Sequence, residues 1–186
     1  MPEQAALEVQ TWRGFSVAAA GSLRKYCHQK LAMAGIRLIQ HAPGAPGLRW
    51  LGLGPGLKPT RGLLKLQRLL NKHAFWAQGR STASLRKILA GSNVIISLWR
   101  GKRLVGFGRA TSDGICRAVL WDIVVAGDLQ GHGFGRQVID ALLAAPGIRG
   151  VERVYLMTTK SQGFYEQLGF ENSTNQQLLL LKHKNN

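Results

Sequence analysis

Acidic side chains are absent from more than half of this chain. Between Val9 and Ser112 there are 18 Lys/Arg and no Asp or Glu; from Asp113 to the end there are 7 of each. The formal net charge of +16 therefore sits in the first part, and two parts so different in charge point to different jobs. A basic face of that size suits nucleic acid or a ribosomal surface, with a plain solvated face as the alternative. Cysteine is scarce. Cys27 and Cys116 stand far apart without neighbouring metal-ligand patterns, which excludes a disulfide scaffold and leaves no basis for a metal site. Long apolar runs are missing too. The leucines at 178–181 form one of the longest, far too short to cross a bilayer, so no membrane partner is expected. What is present is a 45% hydrophobic chain of 186 residues, enough for one domain with its own core and a tail.

Residues 1–46 read as a basic, flexible N-terminal extension closed by Pro43-Gly44-Ala45-Pro46-Gly47. A targeting peptide, or a wrongly assigned upstream start with Met33 as the later candidate, are the other readings; Glu3 and Glu8 speak against a transit peptide. The expected location is cytoplasmic, or the plastid if residues 1–46 include such a peptide. The domain is expected over 47–186. It begins with a strand at Leu48–Leu53, then a helix over about Arg61–Trp76 capped by Thr60, and a second over about Thr82–Ala90. On the first helix Arg61, Lys65, Arg68 and Lys72 form one stripe, and Leu63, Leu66, Leu70 and Ala74 the opposite one. Three strands follow as a meander: Val94–Trp99, Leu104–Ala110 and Cys116–Val125. A helix ending near Ala145, a strand at Val151–Met157, a short helix at Ser161–Leu168 and a last strand at Gln176–Leu181 complete an α/β, mixed-sheet layout.

The chemistry lies where the third meander strand ends. Trp121-Asp122-Ile123-Val124-Val125 runs through four loop residues into Gln130-Gly131-His132-Gly133-Phe134-Gly135-Arg136. Glycines let backbone N–H groups line a hollow, and a helix N-terminus adds unpaired donors and a positive dipole end, so the turn suits a pyrophosphate. Arg136 adds charge. The Gly-Lys-Ser/Thr of a Walker loop and the G-x-G-x-x-G of a dinucleotide fold are both missing. The pattern Gln/Arg-x-x-Gly-x-Gly/Ala fits at every position. It resembles the coenzyme A loop of the GCN5-related N-acetyltransferases, the GNAT superfamily. About 30 residues on, Gly163-Phe164-Tyr165-Glu166-Gln167-Leu168-Gly169-Phe170 resembles the FYEKLGF box of the same superfamily. Arg109-Ala110-Thr111-Ser112-Asp113, taken with these, is similar to the plastid and cyanobacterial branch described as serotonin N-acetyltransferases. One departure is Thr158, where GNATs often carry an asparagine.

The resemblance implies a mostly antiparallel sheet with helices on both faces, and acetyl transfer from acetyl-CoA to a primary amine by direct attack. The acceptor would be an arylalkylamine such as serotonin, or a lysine or N-terminal amine of a protein. A GNAT-fold module that docks on RNA or ribosomes through its basic half is the alternative. The backbone of Ile123, Val124 and Val125 would hold the pantetheine arm, with the Val125 N–H as oxyanion donor. Gln130, Gly131, His132, Gly133, Phe134, Gly135 and Arg136 would hold the phosphates, while Thr158, Ser161 and Phe164 would line the cofactor. Tyr165 would protonate the departing thiolate. Asp122 interrupts an apolar strand; it is either the general base or anchor for the amine, or the partner of an arginine such as Arg109. Trp121 and Asp122 should face opposite sides unless a bulge intervenes. His73 reads as structural, and His41 has no assigned role. A homodimer is a further expectation from the superfamily.

Overall fold

The computed structural model describes residues 35–173 and 176–181. The chain divides into two units, up to Tyr155 and from Leu156 onward. In the first unit the elements run β1 (Ile36–His41), α1 (Pro46–Leu51), α2 (Gly62–His73), α3 (Thr82–Ala90), β2 (Val94–Arg100), β3 (Arg103–Ser112), β4 (Arg117–Val125), α4 (Phe134–Leu143) and β5 (Arg153–Tyr155). The sheet order is β1-β2-β3-β4-β5, antiparallel except for the parallel β4–β5 pair. The meander and the two helices before it lie where the sequence placed them, within a few residues.

The start of the domain differs. Ile36–His41 falls inside the stretch read as an extension, yet it pairs with β2 along its whole length. The expected boundary at residue 46 thus cuts through folded structure; the reading of residues 1–34 lies outside the described residues. Leu48–Leu53 is not a strand. Pro46 at the first helical position and Gly52 in the left-handed conformation at the C-cap punctuate a short helix instead. Leu53 keeps only an isolated bridge to Pro59. Thr60 does not cap α2: Arg61 occupies that position at a positive φ, and the Thr60 hydroxyl donates to the Gly52 carbonyl at 3.1 Å. Ser81 does cap α3, accepting from the Ser84 N–H.

Periodicity decides what each helix buries. Leu63, Leu66 and Leu70 of α2 and the Ala74 that follows it are core, as are Phe134, Val138, Ile139 and Leu142 of α4. Burying one such leucine stabilises the fold by roughly 1.5–3 kcal/mol. Gly108 in β3 lets α4 approach: a Cβ there would lie 2.5 Å from Val138 Cγ1. Arg109, the next residue, points to the other face, where it meets Asp122.

The second unit holds α5 (Gln162–Glu166), closed by Gly169 at φ 86. The expected last strand at Gln176–Leu181 is absent: the segment makes no sheet pairing, and its four leucines are exposed. A run of leucines favours strand only where another strand offers its edge.

The edge strand also creates a buried polar chain. Trp99 Nε1 donates to Ser97 Oγ at 2.8 Å, and Ser97 Oγ lies 2.7 Å from His41 Nε2. Ser97 Oγ accepts from the indole N–H and links it to the imidazole. Burial pushes the His41 pKa down to about 4. The unfolded chain binds this proton near pH 6.5 and the folded chain does not, so stability falls as pH drops from about 6.5 toward 4. Chemical unfolding should show a loss of about 2 kcal/mol between pH 7.5 and 5 that His41→Gln removes. An unchanged pH slope in the variant would clear His41 of this role.

Candidate active site

β3 and β4 lose register between Phe107 and Arg109, where one residue, Gly108, faces two on β4. Asp122 is the bulged residue, with φ at 53. This is the bulge that the Trp121–Asp122 alternation left open. The Asp122 side chain is buried, 5% exposed, and committed. Arg80 Nη1 reaches both of its oxygens at 3.0 Å, and Arg109 Nε donates to Oδ2 at 2.8 Å. Arg109 is fixed in turn by Ser92 Oγ at 3.3 Å and lies over the Trp121 ring at 5.5 Å. Trp121 Nε1 donates to Thr111 Oγ1. Of the two roles open for Asp122, the structure displays the ion pair, with Arg109 as expected and Arg80 as an addition. Three guanidinium contacts hold the two carboxylate oxygens in place. Arg80 lies 42 residues away in an irregular loop, and no pattern in the sequence links the two.

Beyond the bulge, β4 has one open edge. β5 pairs only with Arg117–Val119, and among the described residues no strand pairs with that edge further on. The Ala126 N–H donates to the Val105 carbonyl on β3 at 2.8 Å. Antiparallel backbone groups alternate in direction, so the Val125 N–H points the other way, to the open edge. The Val125 carbonyl faces there too and accepts from Gln130 Nε2 at 3.0 Å. Gln130 thereby ties the strand end to the glycine-rich turn.

In that turn Gly131 and Gly133 have φ of 75 and 82, conformations that side chains with a Cβ resist. Gly133 is the N-cap of α4, and no side chain caps the helix. The first-turn N–H groups of Phe134, Gly135 and Arg136 are left for a ligand. A Cβ built at Gly131 or Gly133 would meet no atom within 4 Å, so the space in front of the turn is open. His132 is exposed, its Nδ1 2.8 Å from the Gln130 carbonyl and its ring stacked on Phe134. Arg136 is exposed, 3.8 Å from Asp140. Residues 122–136 thus run without a break from the bulge to the uncapped start of α4.

The other expected residues belong to the second unit. The Thr158 hydroxyl accepts from the Ser161 N–H at 3.1 Å. Phe164 and Phe170 pack edge-on against Tyr165 at 5.1 and 5.9 Å. Burial pushes the Tyr165 phenol above its ordinary pKa. His73, at the end of α2, lies next to Gly127; burial and Lys72 hold its pKa below the usual value.

Residues 91–172 match the family model of the acetyltransferase (GNAT) domain. Across those residues the chain is similar to the GNAT superfamily. It is 29% identical to an uncharacterized ycf52-like N-acetyltransferase of Prochlorococcus marinus, over 60% of this chain and 63% of that one. It is 44% identical to the chloroplastic serotonin N-acetyltransferase 2 of Oryza sativa, over 37% of this chain and 34% of the relative. The matches span less than two thirds of the first curated relatives' lengths. A GNAT-family acetyltransferase structure from Xanthomonas campestris superposes with a TM-score of 0.60 at 22% identity, covering 80% of this chain and 93% of that one. That likeness is one of fold.

Asp122→Asn tests the ion-pair role. It leaves two partly solvated guanidiniums without their charge partner, so the loss of unfolding free energy should lie near the lower end of roughly 3–5 kcal/mol. Intact stability with turnover reduced by roughly 10²–10⁴-fold would restore the general-base reading.

Proposed function

We propose that this GNAT domain transfers the acetyl group of acetyl-CoA to a primary amine. The observation that carries the reading is the open edge of β4, which presents the Val125 N–H and leads, through Gln130, into an uncapped helix N-terminus. An extended amide-bearing arm fits an unpaired strand edge, and a pyrophosphate fits the free N–H groups of Phe134, Gly135 and Arg136. Acetyl-CoA would supply an activated thioester. The Val125 N–H would stabilise the negative charge that develops on its carbonyl oxygen. Tyr165 would give a proton to the departing sulfur and regain one, through water, from the attacking amine; the sequence box around it supports this role. Ile123, Val124, Thr158, Ser161 and Phe164 would complete the cofactor contacts on the same resemblance. Asp122 would position rather than abstract: it holds the α2–α3 loop against the strand that bears the reaction.

For the acceptor, an arylalkylamine is favoured by the loop that Arg80 anchors. Phe75 and Trp76 stand in it, 59% and 49% exposed, with their rings edge-on at 5.1 Å. Such rings offer a face to an aromatic amine. The rice relative's name supports the same class, and its chloroplast label favours the plastid alternative for location.

A Gly133→Val variant should lose acetyl-CoA affinity in calorimetry, because a branched side chain strains φ at 82 and enters the open space before the turn. Unchanged affinity in the folded variant would remove the turn from cofactor binding. Tyr165→Phe should lower kcat and leave acetyl-CoA affinity within about twofold, since the hydroxyl acts after attack. Wild-type kcat would take the tyrosine out of the mechanism.

A further inference from the structure

The basic stripe of α2 does not face solvent alone. The β2–β3 turn rises beside it, and Lys65, Arg68 and Lys72 from the helix meet Lys102 and Arg103 around a cleft of about 450 Å³. The Lys65 ammonium donates to the Lys102 carbonyl at 2.6 Å, which fixes helix to turn. Buried Leu69 and Leu104 line it as well.

Among the described residues, no carboxylate pairs with Lys65, Arg68, Lys72 or Lys102. Arg103 has one partner, Asp128, gripped by both guanidinium ends at 2.7 and 2.6 Å. Cations crowded in this way repel one another. Lys65 shows it: burial, then Lys102 and Arg68, hold its ammonium below the usual pKa. An anion entering the cleft would relieve that repulsion.

The shape and the donors narrow the class. The volume suits a small charged group or a short stretch of a larger polyanion. No Phe, Tyr or Trp lines the cleft, so no flat stacking surface of those side chains is offered to a base. Two guanidinium forks and three ammonium groups match the several oxygens of phosphates better than a single carboxylate.

We propose that the cleft between α2 and the β2–β3 turn binds a ligand carrying two or more closely spaced phosphates, at a site separate from the glycine-rich turn. An incoming phosphate competes with Asp128 for Arg103. A free oligophosphate and a nucleic-acid backbone share this chemistry.

Calorimetry of the full chain with inorganic tripolyphosphate, and separately with a single-stranded RNA oligomer, tests it. Tripolyphosphate should bind, and the exposed double substitution Arg68→Ala with Lys72→Ala should weaken binding by roughly tenfold or more. Lys102→Ala, on the opposite wall, should weaken it too, while Arg136→Ala at the glycine-rich turn should leave it within about twofold. RNA that displaces tripolyphosphate and binds more tightly through the same cations identifies a nucleic-acid backbone as the source. Tripolyphosphate binding without RNA binding identifies a free oligophosphate. Binding of neither probe, binding untouched by the cleft variants, or loss only in Arg136→Ala would overturn the proposal.

Discussion

The carboxylate of Asp122, gripped by Arg80 and Arg109, joins the helical layer to the sheet at the point where β4 bends. A buried carboxylate is tolerated only when charge and hydrogen bonds compensate it. Here the compensation comes from two directions, a neighbouring strand and the α2–α3 loop. The bulge at the same residue shifts the register of β4 against β3, and the last part of the strand keeps one edge free. The shape of this region therefore depends on the ion pairs at Asp122.

Two places in the first unit are shaped for negative charge, by different means. The glycine-rich turn uses backbone donors and a helix N-terminus, which need no cationic side chain. The cleft beside α2 uses side-chain cations in excess of their carboxylates. The first is geometric and demands glycine at φ 75 and 82; the second tolerates exchange of one cation for another. Arg103 and Asp128 stand between them, in the cleft and at the approach to the turn.

Some of this was legible in the sequence because it is local. The alternating glycines after a β-rich run specify a turn into a helix, since few other residues accept those φ values. The 3.6-residue spacing of the leucines in α2 and α4 specifies which face is core, and turn residues at Gly101 and Asp113-Gly114 specify the meander. The spacing of the glycine turn from the FYE box carried the superfamily resemblance.

Tertiary structure decided what rests on partners distant in the chain. Ile36–His41 has little strand signal of its own and becomes a strand because β2 offers an edge. Gln176–Leu181 is apolar enough to join a sheet and stays unpaired. Pro46 and Gly52 outweighed the apolar alternation between them. Asp122 could be a base or a counter-ion in the sequence, and only the fold brought Arg80 to it beside Arg109. Local sterics and periodicity are written in short stretches of residues, whereas strand pairing and charge pairing are set by whichever group the rest of the chain brings alongside.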